Sequence, residues 1–109
     1  MKNLNIAIIG LGYVGLPLAL EFSKYFNTLG FDLSKKRINE LNSYNDVTNQ
    51  FKKNKIKNSK IKFTNDHLFL EKYNIFILCV PTPVNNKNLP DLHSLKSATK
   101  IVSKYVKKK

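Results

Sequence analysis

The sequence predicts an α/β fold, a parallel sheet with strand order 3-2-1-4 and helices on both faces. Three observations carry this. Strand-like apolar runs alternate with amphipathic segments along all 109 residues. The runs are apolar at consecutive positions, as in strands covered on both faces. A glycine-spaced turn, Gly10-Leu11-Gly12-Tyr13-Val14-Gly15, joins the first run to the first helical segment.

Leu4 to Ile9 is the first strand, ending at Gly10. Helical spacing follows, in which Leu16, Ala19, Leu20 and the stretch Phe22 to Phe26 leave Glu21 and Lys24 more exposed. Pro17 falls in the first turn, where its missing N–H costs nothing. Thr28 to Asp32 is the second strand, and Ser34 caps a second helix whose apolar side carries Ile38 and Leu41. The polar stretch Asn42 to Lys60 is a short helix or loop. Ile61 to Thr64 is a third strand, and Asp66 to Tyr73 a short helix. Ile75-Phe76-Ile77-Leu78-Cys79-Val80 is the strongest strand and is expected to be buried on both sides. Pro81-Thr82-Pro83 stops it, and the loop runs to Pro90. A last helix places Leu92, Leu95, Ala98, Thr99, Val102 and Val106 on one face, and three lysines follow at its dipole-negative end. Length and patterning point to a single unit, residues 1–109, with crossovers of right-handed sense and no second domain.

Composition narrows the function classes. The formal net charge is +12, carried by lysines; Arg37 is the only arginine. Readers of nucleic acid lean on arginine forks and interleaved aromatics, and neither accompanies the lysine clusters. A solvated basic surface is therefore expected, with no specific nucleic-acid partner, although the charge attracts polyanionic ligands at long range. Cys79 is the only cysteine, which rules out an intrachain disulfide and suits a reducing compartment, the cytoplasm. Glycines interrupt the N-terminal apolar stretch and no small-residue cleavage site follows, so export is not expected. No apolar run approaches the ~20 residues of a membrane span.

The chemistry concentrates in the glycine turn. Gly10, Gly12 and Gly15 fit G-x-G-x-x-G between a strand and a helix, the context that gives the spacing meaning. Gly10 allows the tight turn, Gly12 lets the backbone approach a pyrophosphate, and Gly15 lets helix and strand pack closely. The N–H groups of Tyr13 and Val14 lie near the helix N-terminus, where a phosphate is favoured. Asp32 follows Gly10 by 22 residues, at the end of the second strand. There it would accept hydrogen bonds from the adenine-ribose hydroxyls and repel a 2′-phosphate, favouring NAD over NADP. Lys35, Lys36 and Arg37 soften that preference, and the competing reading of Asp32 is a turn or cap residue. Thr82, beyond the fourth strand, either offers its hydroxyl and backbone to the cofactor or belongs to a rigid loop terminator. The architecture is Rossmann-like. Cys79 reads as a core thiol. His67 and His93 lack metal-ligand spacing, and no catalytic or metal-binding set is evident.

The segments "IAIIGLGYVGLPLALEF", "GFDLSKKRINELN", "KFTND" and "FILCVPTPVNNKNLPDL", in this order and spacing, resemble the N-terminal domain of the UDP-glucose/GDP-mannose dehydrogenase family. The "VPTP" and "PDL" stretches most resemble the branch that oxidises UDP-N-acetylhexosamines. The resemblance implies NAD as cofactor, held by Gly10, Gly12, Tyr13, Val14, Gly15, Asp32, Arg37 and Thr82, with Arg37 beside the adenosine. It implies a nucleotide-sugar 6-dehydrogenase that converts a sugar C6 alcohol to a carboxylate in two hydride transfers, for surface polysaccharide precursors. The family's catalytic cysteine, lysine, asparagine and acid residues are not matched, and Cys79 does not match the nucleophile. The chain is thus expected to be a truncated, partial NAD-binding domain, inactive alone, in which UDP-sugar would engage only with the missing C-terminal part. The alternative is a non-catalytic dinucleotide-binding fragment. The far edge of the fourth strand is then open to association, including formation of a homo-oligomer.

Overall fold

The computed structural model describes residues 4–44, 53–80, 87 and 92–106. Four parallel strands form one sheet: β1 (Asn5–Ile9), β2 (Asn27–Phe31), β3 (Lys62–Thr64) and β4 (Ile75–Leu78), in the order β3-β2-β1-β4. β1 pairs with β2 from Asn5↔Asn27 to Ile9↔Phe31, and with β4 from Ile6↔Ile75 to Ile9↔Leu78. Phe31 pairs with Thr64 of β3. The predicted order is the observed one, and the carboxyl ends of the four strands finish level with one another.

Alternation along β1 and β2 divides the core in two. Ile6 and Ile8 face one layer, formed by α1 (Gly15–Phe22), α2 (Lys35–Asn42) and α3 (Lys53–Lys57) through Leu16, Ala19, Leu20, Ile38, Leu41 and Ile56. Ala7, Ile9, Leu29 and Phe31 face the other. It is closed by Leu70 of a 3-10 helix (His67–Lys72) and by Ala98 and Val102 of α4 (His93–Val102).

Local chemistry sets the element ends. α1 stops at Phe22, although the apolar pattern runs to Phe26. The Ser23 hydroxyl donates to the Leu20 carbonyl at 2.7 Å, and the Tyr25 N–H bonds back to Phe22, closing a turn that delivers the chain to β2. Ser34 caps α2 as expected, its oxygen accepting the Arg37 N–H at 3.1 Å. Within Asn42 to Lys60, α3 buries Ile56; residues 45–52 lie outside the described residues. Asp66 caps the 3-10 helix by accepting from the Leu68 N–H.

Two expectations about burial need correction. Every residue of β4 is half-buried, not buried on both sides. In the last helix Ala98 and Val102 are buried, but Leu92, Thr99 and Val106 are exposed. Leu92 is the N-cap, Val106 follows the turn that ends α4, and the Thr99 hydroxyl bonds back to the Leu95 carbonyl at 2.8 Å. The lysines at 107–109 lie outside the described residues.

Candidate functional site

The level carboxyl ends of the strands carry the glycine turn. The chain leaves β1 at Gly10 with φ 102°, a conformation that L side chains rarely adopt. The Gly10 N–H donates to the Phe31 carbonyl at 2.7 Å, and the Cys79 N–H donates to the Ile9 carbonyl at 2.7 Å. The turn is therefore wedged between the ends of β2 and β4, and a Cβ on Gly10 would lie 2.7 Å from the Cys79 carbonyl oxygen. Gly15 opens α1 directly against this turn. A Cβ there would overlap the Gly10 carbonyl oxygen and stand 3.3 Å from the Cys79 Cβ, so the close packing is on the turn and on the end of β4. Gly12 differs: it is exposed, and a Cβ there would meet nothing within 4 Å. Tyr13 and Val14 follow it at 70% and 67% exposure, with Val14 the N-cap of α1. The open side of the loop thus faces solvent at the positive end of a helix, a place suited to an anion.

Asp32 stands immediately beyond β2, half-buried. Its Oδ1 accepts the Ser34 N–H and its Oδ2 accepts the Leu11 N–H, each at 2.9 Å. Asp32 is therefore a turn residue and a neighbour of the glycine loop at once. Each carboxylate oxygen has a further lone pair, so capacity remains for hydroxyl donors. Arg37 comes to the same loop from α2: its Nε donates to the Leu11 carbonyl at 2.8 Å, and its Nη1 lies 3.8 Å from Glu40 Oε1. The Arg37 and Glu40 side chains are only 11% and 18% exposed, whereas Lys35 and Lys36 are exposed. Sequence reasoning passed over Leu11. Its signal was a large aliphatic residue between two glycines of a solvent-facing turn, and its side chain is fully buried.

Residues 4–109 match the UDP-glucose/GDP-mannose dehydrogenase family, NAD binding domain. The chain belongs to this family. It is 43% identical over 109 residues to the UDP-N-acetyl-D-glucosamine 6-dehydrogenase of Pseudomonas aeruginosa, covering 99% of this chain and 26% of that protein. It is 43% identical over 104 residues to protein CapL of Staphylococcus aureus, covering 95% and 24%. Among solved structures, the UDP-D-ManNAc dehydrogenase of Pyrococcus horikoshii superposes with a TM-score of 0.86 at 31% identity, covering 94% of this chain and 26% of that one. The chain therefore spans about a quarter of the length of these relatives.

The cofactor of this family's domain is NAD, and the residues present fit it. The space that a Cβ would take at Gly12 is open, and a carboxylate with acceptor capacity is bonded to the same loop from the end of β2. Thr82 and the rest of the "VPTP" loop after Val80 lie outside the described residues. Cys79, beside the glycine turn, is half-buried, and burial pushes its thiol pKa up, away from the thiolate form. His67 Nδ1 lies 2.6 Å from the Tyr105 hydroxyl, joining the 3-10 helix to the turn after α4. Among the described residues no group of three His, Cys, Asp or Glu could hold a metal ion, and no helix is long and apolar enough to cross a membrane.

Proposed function

We propose that this domain holds NAD for a nucleotide-sugar 6-dehydrogenase acting on a UDP-N-acetylhexosamine or UDP-glucose. The reaction oxidises the sugar C6 hydroxyl to a carboxylate, for surface polysaccharide precursors. The observation that carries this reading is the open glycine loop at the start of α1 with the Asp32 carboxylate bonded to it. In the proposal Gly10, Gly12, Tyr13, Val14 and Gly15 cradle the pyrophosphate. Asp32 receives the adenine-ribose hydroxyls, Arg37 lies beside the adenosine, and Thr82 meets the cofactor from beyond β4. The N-acetylhexosamine branch is supported by relatives at 43% identity that carry the name UDP-N-acetyl-D-glucosamine 6-dehydrogenase. NAD chemistry and a single thiol suit the cytoplasm.

The test is a titration of the purified chain with NAD and NADP, then an assay with UDP-N-acetylglucosamine and UDP-glucose. The proposal expects NAD to bind more tightly than NADP, and Asp32→Ala to weaken NAD and narrow that preference. Unchanged affinity for both cofactors in Asp32→Ala would remove Asp32 from the site. A second reading is a dinucleotide-binding module without turnover: the chain's one thiol, Cys79, has its pKa pushed up by burial, away from a nucleophilic thiolate. Binding without NADH production favours that module; turnover by this chain alone excludes it. We also infer association through the outer edge of β4, to be read as concentration-dependent sedimentation. A concentration-independent monomer would exclude it.

A further inference from the structure

Three interactions converge on Leu11. Its N–H is held by Asp32 Oδ2 at 2.9 Å, its carbonyl by Arg37 Nε at 2.8 Å, and its side chain is packed in the core among residues such as Leu16, Ile38 and Phe63. Two of these are charge-assisted bonds from ionised side chains to a neutral peptide, the stronger kind of backbone contact. The arginine is itself aimed: it is 11% exposed, sits in the first turn of the helix capped by Ser34, and has Glu40 at 3.8 Å. Glycines at 10, 12 and 15 give this turn more intrinsic backbone freedom than residues with side chains would have, and ordering it on ligand binding would lower affinity.

We propose that Asp32 and Arg37 are positioning residues that fix the glycine loop, through Leu11, in the conformation that receives a diphosphate before a ligand arrives. The proposal rests on the loop being the NAD site and assigns Arg37 a role distinct from contact with the adenosine. Arg37 holds the loop, and the loop holds the phosphates. Asp32 has both tasks, so ribose and diphosphate recognition meet at one peptide.

A split between two ligands tests this. Adenosine reaches the ribose acid and no phosphate site; ADP reaches both. Arg37→Ala is expected to lower ADP affinity about tenfold more than adenosine affinity, so that the ADP-over-adenosine advantage falls by about 1.4 kcal/mol. Glu40→Gln is expected to reproduce this in smaller degree. Equal losses for adenosine and ADP would make Arg37 an adenosine contact and overturn the proposal; no loss for either would overturn it too. Amide exchange in the free wild-type chain gives a readout that needs no variant to fold. The Leu11 N–H is expected to exchange at least tenfold more slowly than an unprotected peptide, and exchange at the unprotected rate overturns the clamp. Failure of NAD to bind wild type, with Leu11 still protected, would instead sink the cofactor site and leave the clamp standing.

Discussion

β1 and β4 are composed alike, Ile6-Ala7-Ile8-Ile9 beside Ile75-Phe76-Ile77-Leu78, and they pair residue for residue. Their surroundings differ. The four β1 residues are 0–4% exposed, with a strand on each side, whereas every β4 residue is half-buried at the end of the described sheet. An apolar run identifies a strand, but burial is conferred by neighbours. Within the described sheet, β4 has the sequence of an interior strand and a neighbour on one side only.

The largest effect that would test this contrast lies where the two strands meet. Gly10→Ala forces a positive φ on a side chain and drives its Cβ toward the Cys79 carbonyl. Strain and overpacking together are expected to cost about 3 kcal/mol or more in denaturant unfolding. Ile8→Ala, in the fully buried strand, is expected to cost about 3–4 kcal/mol, within the range for core truncations. Its β4 partner Ile77 is half-buried, and Ile77→Ala is expected to cost about 1–2 kcal/mol. Equal losses at Ile8 and Ile77 would show that another surface covers β4 in solution. The smallest effect is at Cys79. Its raised pKa keeps the thiol protonated to higher pH than a free cysteine, so iodoacetamide alkylation should lag behind that of free cysteine at pH 8 and rise later with pH. Alkylation as fast as free cysteine would mean that the end of β4 is uncovered.

The sheet order was legible because apolar runs, glycine turn and helical spacing all agreed, and Ile38 and Leu41 fell where their periodicity placed them. The place of Asp32 beside the glycine loop was legible from its distance to Gly10. What it bonds was not, because a carboxylate that can accept from a ribose can equally accept from Leu11 and Ser34 N–H groups. Arg37 was read through its charge, yet its Nε lies on a backbone carbonyl, and a bond to the main chain leaves no mark in residue identity. The far end of α1 misled for a related reason. Phe22 and Phe26 suit a helix and a turn alike, and the helix ends at Ser23, whose hydroxyl bonds back to Leu20.

The order β3-β2-β1-β4 also has a consequence in time. Asn27 joins Asn5 across 22 residues, but Asn74 joins it across 69. Closing the longer loop costs roughly 1 kcal/mol more in chain entropy, which slows that pairing relative to the shorter one. During refolding, pulse-labelled β2 amides are therefore expected to gain protection before those of β4. The Asp32 side of the glycine turn would be assembled early, from near neighbours in the chain, and the β4 side would arrive last.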